Sequence, residues 1–318
     1  MRYYKRNDEI LESINTEFKN QQISANVLQP VPKKLYRYSS VSEYVINDLK
    51  ADSVSLTNPI NFNDDLDSLF QVDNEKTILE EYEISVDIAS KAGYAWPQTK
   101  EEHIENYHRV NKMYLQFARE NSLVKCFSEE PDSRMLWGLY GADNKGICVE
   151  YNTSHRIFDH VYPVIYGSQN LVQKGLTDIE TDKSITQAII MASIYKDKEF
   201  EHEKEWRVIY PSLNLPSGND NFVEFKVGIP SEIILGNSFF NRDKRWERGS
   251  KDNYIDNYIK LFEIIEEKNI TVSKLSYNYR EIEIQTLDGN TLLHYLNEYR
   301  TKNIDQYNFF EIIEKITN

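Results

Sequence analysis

From Ser122 onward the chain keeps switching between short strand-type runs and longer stripes at helical spacing, and this mixed order limits the fold more than any other feature. Strand runs fall at Leu123 to Ser128, Lys145 to Tyr151, His160 to Tyr166, Glu205 to Tyr210, Phe222 to Val227, Glu232 to Leu235, Thr271 to Leu275 and Glu281 to Gln285. Helices are expected between them at Asp132 to Tyr140, at about 184–200 and at 252–267, with a helical tail over 290–317. Runs of strands with helices set between them predict an α+β fold with mixed or antiparallel sheets, since strict βαβ alternation is missing.

Ahead of Ser122, Ile10, Leu11, Ile14 and Phe18 mark an amphipathic lead helix over 8–20. Leu35 to Tyr38 reads as a strand, Ser40-x-x-Glu43 as a capping box opening a helix to about Lys50, and Ser53 to Thr57 as a second strand. Helical stretches near 75–90 and 99–120, the second striped by Ile104, Tyr107, Tyr114 and Phe117, form an inserted helical layer. The expected organisation is a helical extension over 1–32, an α+β domain of catalytic type over 33–286 with an insertion at about 74–121, and a helical extension over 287–318.

With 318 residues, 40% of them hydrophobic, the chain can bury a large core. Its formal charge of -14 disfavours loose attachment to nucleic acid or an anionic membrane, so such a partner needs a local basic site. Arg242, Lys244, Arg245, Arg248 and Lys251 around Trp246 read either as a phosphate grip with a stacking base or as a solvated helix start. The opening residues carry no apolar core, and the longest apolar stretch, Ala188 to Ile194, is too short for a bilayer; a cytoplasmic protein without membrane contact is expected. Cys126 and Cys148 sit in strand-type runs and read as reduced core thiols. Zinc spacings and the glycine motifs of kinases, Rossmann domains and serine hydrolases are missing, and no metal site is expected from His and Cys.

The most distinctive segment is Glu201 to Pro211, an acidic approach running into an apolar strand. Alternation puts Glu203, Glu205 and Arg207 on one face, where one carboxylate can stabilise a cationic sugar carbon while the other activates an acceptor. The plainer alternative is a solvated helix end entering a strand. Arg37, between Tyr36 and Tyr38, suits a phosphate or pyrophosphate through its planar fork of donors, or an exposed strand face paired to a carboxylate. Ser128 stands at a strand exit, offering its hydroxyl to a ligand or capping the turn, while Met135, Trp137 and Tyr140 suit a core. Asp132 is the expected cap of the helix that follows.

Several segments together resemble a prokaryotic domain-of-unknown-function family, numbered twenty-nine seventy-one. They are L-Y-R-Y at 35–38, S-L-T-N-P-x-x-F-N-D at 55–64, C-F-S-x-x-x-D-S-x-x-x-W at 126–137, K-G-I-C-V-E-Y at 145–151, E-K-E-W-R-V-I at 203–209 and I-I-L-G at 233–236. Departures fall at Asn63 to Asp67 and at Leu139, where the family prefers N-D-P-F-D and a His. The order Arg, then Ser at a strand end, then Glu-x-Glu is further similar to ADP-ribosyltransferases. That resemblance implies NAD as substrate on an ADP-ribosyltransferase-like fold: Arg37 holds its phosphates, Ser128 braces the site, Glu205 binds the ribose and Glu203 faces the acceptor. Phe62, Tyr38 or Trp137 would stack on nicotinamide. Similar proteins look like components of toxin and phage-defence loci, implying a protein or nucleic-acid acceptor and a neutralising antitoxin, for which the tail carrying Phe309, Phe310, Ile312 and Ile313 is one docking element; the same tail also suits core completion. Rival readings are a magnesium-dependent nuclease on Asp64, Asp67, Glu203 and Glu205, and a non-catalytic sensor or scaffold.

Overall fold

The computed structural model describes residues 31–62, 75–167, 190, 193–212, 222–241, 254–278 and 281–317. The lead helix, Asp64, Asp67 and the basic cluster around Trp246 lie outside them. Strand β1 (Lys34–Ser39) passes through helix α1 (Glu43–Ala51) to β2 (Ser53–Thr57), and helices α2 (Glu75–Lys91) and α3 (Lys100–Glu120) precede β3 (Ser122–Ser128), α4 (Arg134–Leu139) and β4 (Ile147–Asn152). Short strands β5 (Val161–Pro163), β6 (Ile165–Gly167) and β7 (Tyr195–Asp197) lead to β8 (Glu205–Pro211), β9 (Phe222–Lys226) and β10 (Glu232–Leu235). Helix α5 (Tyr254–Lys268), β11 (Thr271–Asn278), β12 (Glu281–Thr286), α6 (Gly289–Arg300) and α7 (Gln306–Thr317) follow.

The main sheet has ten strands, ordered β12-β11-β10-β4-β1-β3-β2-β9, with β8 and β5 branching from β3. Only β10 and β11 run parallel within it, so the fold is α+β with a mixed, mostly antiparallel sheet. Glycines in two of the motifs allow close backbone approach. A Cβ on Gly146 would lie 2.1 Å from the Ser39 carbonyl oxygen, and one on Gly236 would lie 2.2 Å from that of Asn144.

The sheet forks at β3. Strand β8 pairs with β3 from Ser122 to Ser128, leaving one free edge for two strands. On that edge β1 is joined only at Tyr36 and Ser128, and β2 only at Thr57 and Val124. The two strands therefore splay apart around residues 125–127, and backbone groups facing the gap need other partners.

Helix α1 roofs the fork. Its cap is Ser42, whose side chain accepts from the Val45 N–H, and not the Ser40-x-x-Glu43 box expected from the sequence; Ser42 is the residue with extended backbone at the helix start, φ -101 and ψ 162. Asp52, at φ 54, closes the other end. Lys268 of α5 reaches the last turn, donating to the carbonyls of Leu49 (2.9 Å) and Lys50 (2.8 Å), where a cation is favoured by the helix dipole. Ile46 and Leu49 pin the underside of α1 in the core.

Elsewhere the structure departs from local pattern in three places. Ser133, not Asp132, caps α4. The helix expected to run to about 200 gives way at Tyr195 to β7, which pairs with β6, a long-range partner that local periodicity does not reveal. The tail is two helices, and Tyr299 stacks on Phe309 at 4.5 Å with Phe309, Phe310 and Ile313 buried, so it completes the core. No helix among the described residues is long and apolar enough to cross a membrane.

Candidate functional site

Strand register sorts the candidate residues onto two faces of the sheet. Tyr36 lies opposite Ser128, and Ser128 opposite Glu205, so these three side chains share a face. Arg37, one residue on from Tyr36, points to the other face, as does Lys125, which lies opposite Val208. The expected meeting of Arg37 with Ser128 and Glu205 around one nucleotide is therefore not the arrangement found: alternation along β1 puts the sheet between them.

On the Arg37 face, a cavity of about 380 Å³ opens beneath α1 in the fork. Its walls include Arg37 and Ser39 of β1, Ser55 and Thr57 of β2, Lys125 of β3, and Tyr44 and Asp48 of α1. Both cations also serve the split backbone. Arg37 Nη1 donates to the Cys126 carbonyl at 3.1 Å, and Lys125 Nζ to the Ser55 carbonyl at 3.0 Å. Asp48 completes the fork: it accepts from the Ser55 N–H at 3.1 Å and the Ser55 hydroxyl at 2.6 Å, and stands 3.8 Å from Lys125 Nζ. Among the described lining residues it is the only carboxylate, set against two cations. Burial, with the charge of Arg37 nearby, lowers the Lys125 amine from its ordinary range to about 7. The sequence signal for Lys125 is a lone cation inside the apolar run Leu123 to Phe127, masked because lysine in a strand ordinarily points to solvent.

The opposite face holds the predicted acids. Glu203, Glu205 and Arg207 are 3%, 6% and 0% exposed. Glu205 accepts Arg207 Nε and Nη2, both at 2.9 Å. Lys196 Nζ lies 2.6 Å from Glu203 Oε2 and 3.3 Å from Glu205 Oε2, and Tyr140 donates to Glu203 Oε1 at 2.9 Å. All four carboxylate oxygens thus have a donor, and two acids face two cations. Burial, reinforced by Glu203, pushes the Tyr140 phenol up, and burial with Glu205 does the same to Tyr166, so both remain hydrogen-bonding groups. Alternation does not carry Glu203 here. Strand β8 starts at Glu205, and Lys204, at φ 43, breaks the chain direction and ion-pairs with Glu130. The sequence alone does not place Lys196, because its position depends on the β6–β7 pairing.

The remaining candidates are committed to the fold. The Ser128 hydroxyl donates to the Glu203 carbonyl at 2.8 Å and accepts the Glu130 N–H at 3.1 Å, which is turn capping. Tyr38 and Trp137 pack edge to face at 5.2 Å in a core cluster, with Trp137 fully buried and its indole N–H on the Pro131 carbonyl. Phe62 lies 6.0 Å from the Arg207 guanidinium. No group of three or more His, Cys, Asp or Glu among the described residues is placed to hold a metal ion.

Fold and site define an α+β protein with a cationic pocket in a forked sheet. The family model described as a protein of unknown function (DUF2971) matches residues 136–208, which supports the DUF2971 family. The matched segment runs from α4 through most of β8 and holds Trp137, Glu203, Glu205 and Arg207; Arg37 and Lys125 lie before it. No curated protein and no solved structure matches the chain.

Proposed function

We propose that this protein binds a nucleotide by its phosphates in the pocket beneath α1, with NAD as the ligand to test first. The observation that carries this reading is the pairing of Arg37 and Lys125 on the walls of one cavity where, among the described residues, Asp48 is the one carboxylate. Arg37 offers a planar fork to a phosphate, Ser39 and Thr57 offer neutral donors, and Tyr44, exposed on α1, offers an aromatic face to a base. Titration of NAD into the protein at low salt, followed by calorimetry, tests it. A charge-assisted hydrogen bond contributes roughly 1.5–3 kcal/mol, so Arg37→Ala is expected to weaken binding by about 10-fold or more. Wild-type protein that takes up neither NAD nor ADP-ribose contradicts the reading.

ADP-ribosyl transfer from NAD to a macromolecule, on an ADP-ribosyltransferase-like fold, is a second reading, favoured by the convergence of Ser128, Glu203 and Glu205 at one buried point. It requires a carboxylate freed from Lys196 or Arg207 and the nucleotide held on that face. Incubation with labelled NAD separates the two. Turnover lost in a folded Glu205→Gln variant supports transfer, and binding without turnover supports the pocket as a binding site alone.

A further inference from the structure

We propose that the Lys125 amine is a covalent acceptor for an aldehyde or ketone carrying a phosphate or carboxylate, which it holds as an imine in the pocket beneath α1. This inference rests on the anion-binding reading of that pocket and adds a chemical step to it. Three observations carry it: the amine lines a cavity of about 380 Å³, its side chain is only 14% exposed, and a guanidinium shares the cavity to fix an anionic group.

An ordinary lysine at neutral pH is almost wholly protonated and has no lone pair to give. Lys125 is different. Among the described residues the groups facing it are Arg37 from β1, Asp48 from α1 and the Cys126 thiol beside it on β3, with the Tyr151 phenol from β4 pushed up by burial and therefore neutral. Desolvation and Arg37 outweigh the help of Asp48, leaving a substantial neutral fraction near pH 7. The neutral Nζ attacks the carbonyl carbon, and the C=O π pair moves to oxygen to give a carbinolamine once a proton passes from nitrogen to oxygen. Loss of that oxygen as water leaves a C=N bond. One amine and one carbonyl give one imine and one water, with no change of oxidation state. Asp48, 3.8 Å from Nζ, is the carboxylate placed to carry the proton.

Pyridoxal phosphate, which carries both an aldehyde and a phosphate, is the probe. Full-length protein is treated with it, reduced with borohydride and mapped by mass spectrometry across pH 6 to 9. The expected result is reduced adduct at Lys125 forming about 10-fold or more faster at pH 7 than at the exposed Lys50, with a rate that rises through pH 7 and is slowed by NAD. Pyridoxal without phosphate should label Lys125 more slowly, and Arg37→Gln should erase that difference. If NAD binds while Lys125 reacts no faster than Lys50, the imine proposal is overturned and the anion reading stands. If pyridoxal labels Lys125 as fast as its phosphate does and NAD does not protect, the anion reading fails and takes this proposal's ligand class with it.

Discussion

The two faces of the forked sheet both bury charge, yet they do so in different ways. On the β8 face, Glu203 and Glu205 meet Lys196 and Arg207 with every carboxylate oxygen bonded. On the α1 face, Arg37 and Lys125 meet one carboxylate among the described residues and border open volume. A buried charge set that is saturated and closed has its energy tied up in holding the fold, since freeing one member leaves another desolvated and alone. A set that is incompletely balanced beside a cavity has capacity left for a ligand. On that contrast rests the proposal that the α1 face, and not the paired acids, takes the ligand.

The contrast can be broken most sharply at Arg207. Replacing it by Ala removes the two guanidinium bonds to the buried Glu205 carboxylate and leaves Lys196, at 3.3 Å, to face both acids, and about 3–5 kcal/mol of stability should be lost in denaturant unfolding; a loss below about 1 kcal/mol would mean that the β8 cluster is not desolvated. At the fork, Arg37→Ala should cost much less in the same assay while weakening NAD by the tenfold or more given above.

Changing pH tests the Lys125 side of the comparison. Its folded pKa, about 7, lies below that of the unfolded chain, so between pH 7 and about 10 the unfolded state holds more protons and stability rises with pH. Wild type should therefore gain about 2 kcal/mol relative to Lys125→Met between pH 7 and 9, and parallel pH profiles of the two proteins would show an unperturbed amine. NAD affinity should move the other way, falling as Lys125 loses its charge while the ligand's phosphates keep theirs. The smallest effect is expected at Tyr140→Phe, which removes one hydrogen bond to Glu203 and should cost about 1 kcal/mol with NAD binding unaltered.

How far these features could be read from the sequence follows from what each depends on. Helices α2, α3 and α5 and most strands carry their own periodicity and stand within a few residues of expectation. Arg37 stands out as a candidate in the sequence because it lies alone between two tyrosines. Its partners were not, because the fork arises only when β1 and β2 compete for one edge of β3, a fact of long-range register. The same applies to Glu203 and Glu205: their spacing was legible, but Lys196, which neutralises both, reaches them only through the pairing of β6 with β7.

The central claim, that ligand binds on the α1 face and not at the paired acids, is tested most directly by NAD titrations of Arg37→Ala and Glu205→Gln, run side by side below their melting temperatures. The account predicts that Arg37→Ala loses tenfold or more in affinity while Glu205→Gln, though less stable, binds NAD within about twofold of wild type. Loss of binding in Glu205→Gln with full binding in Arg37→Ala would contradict it.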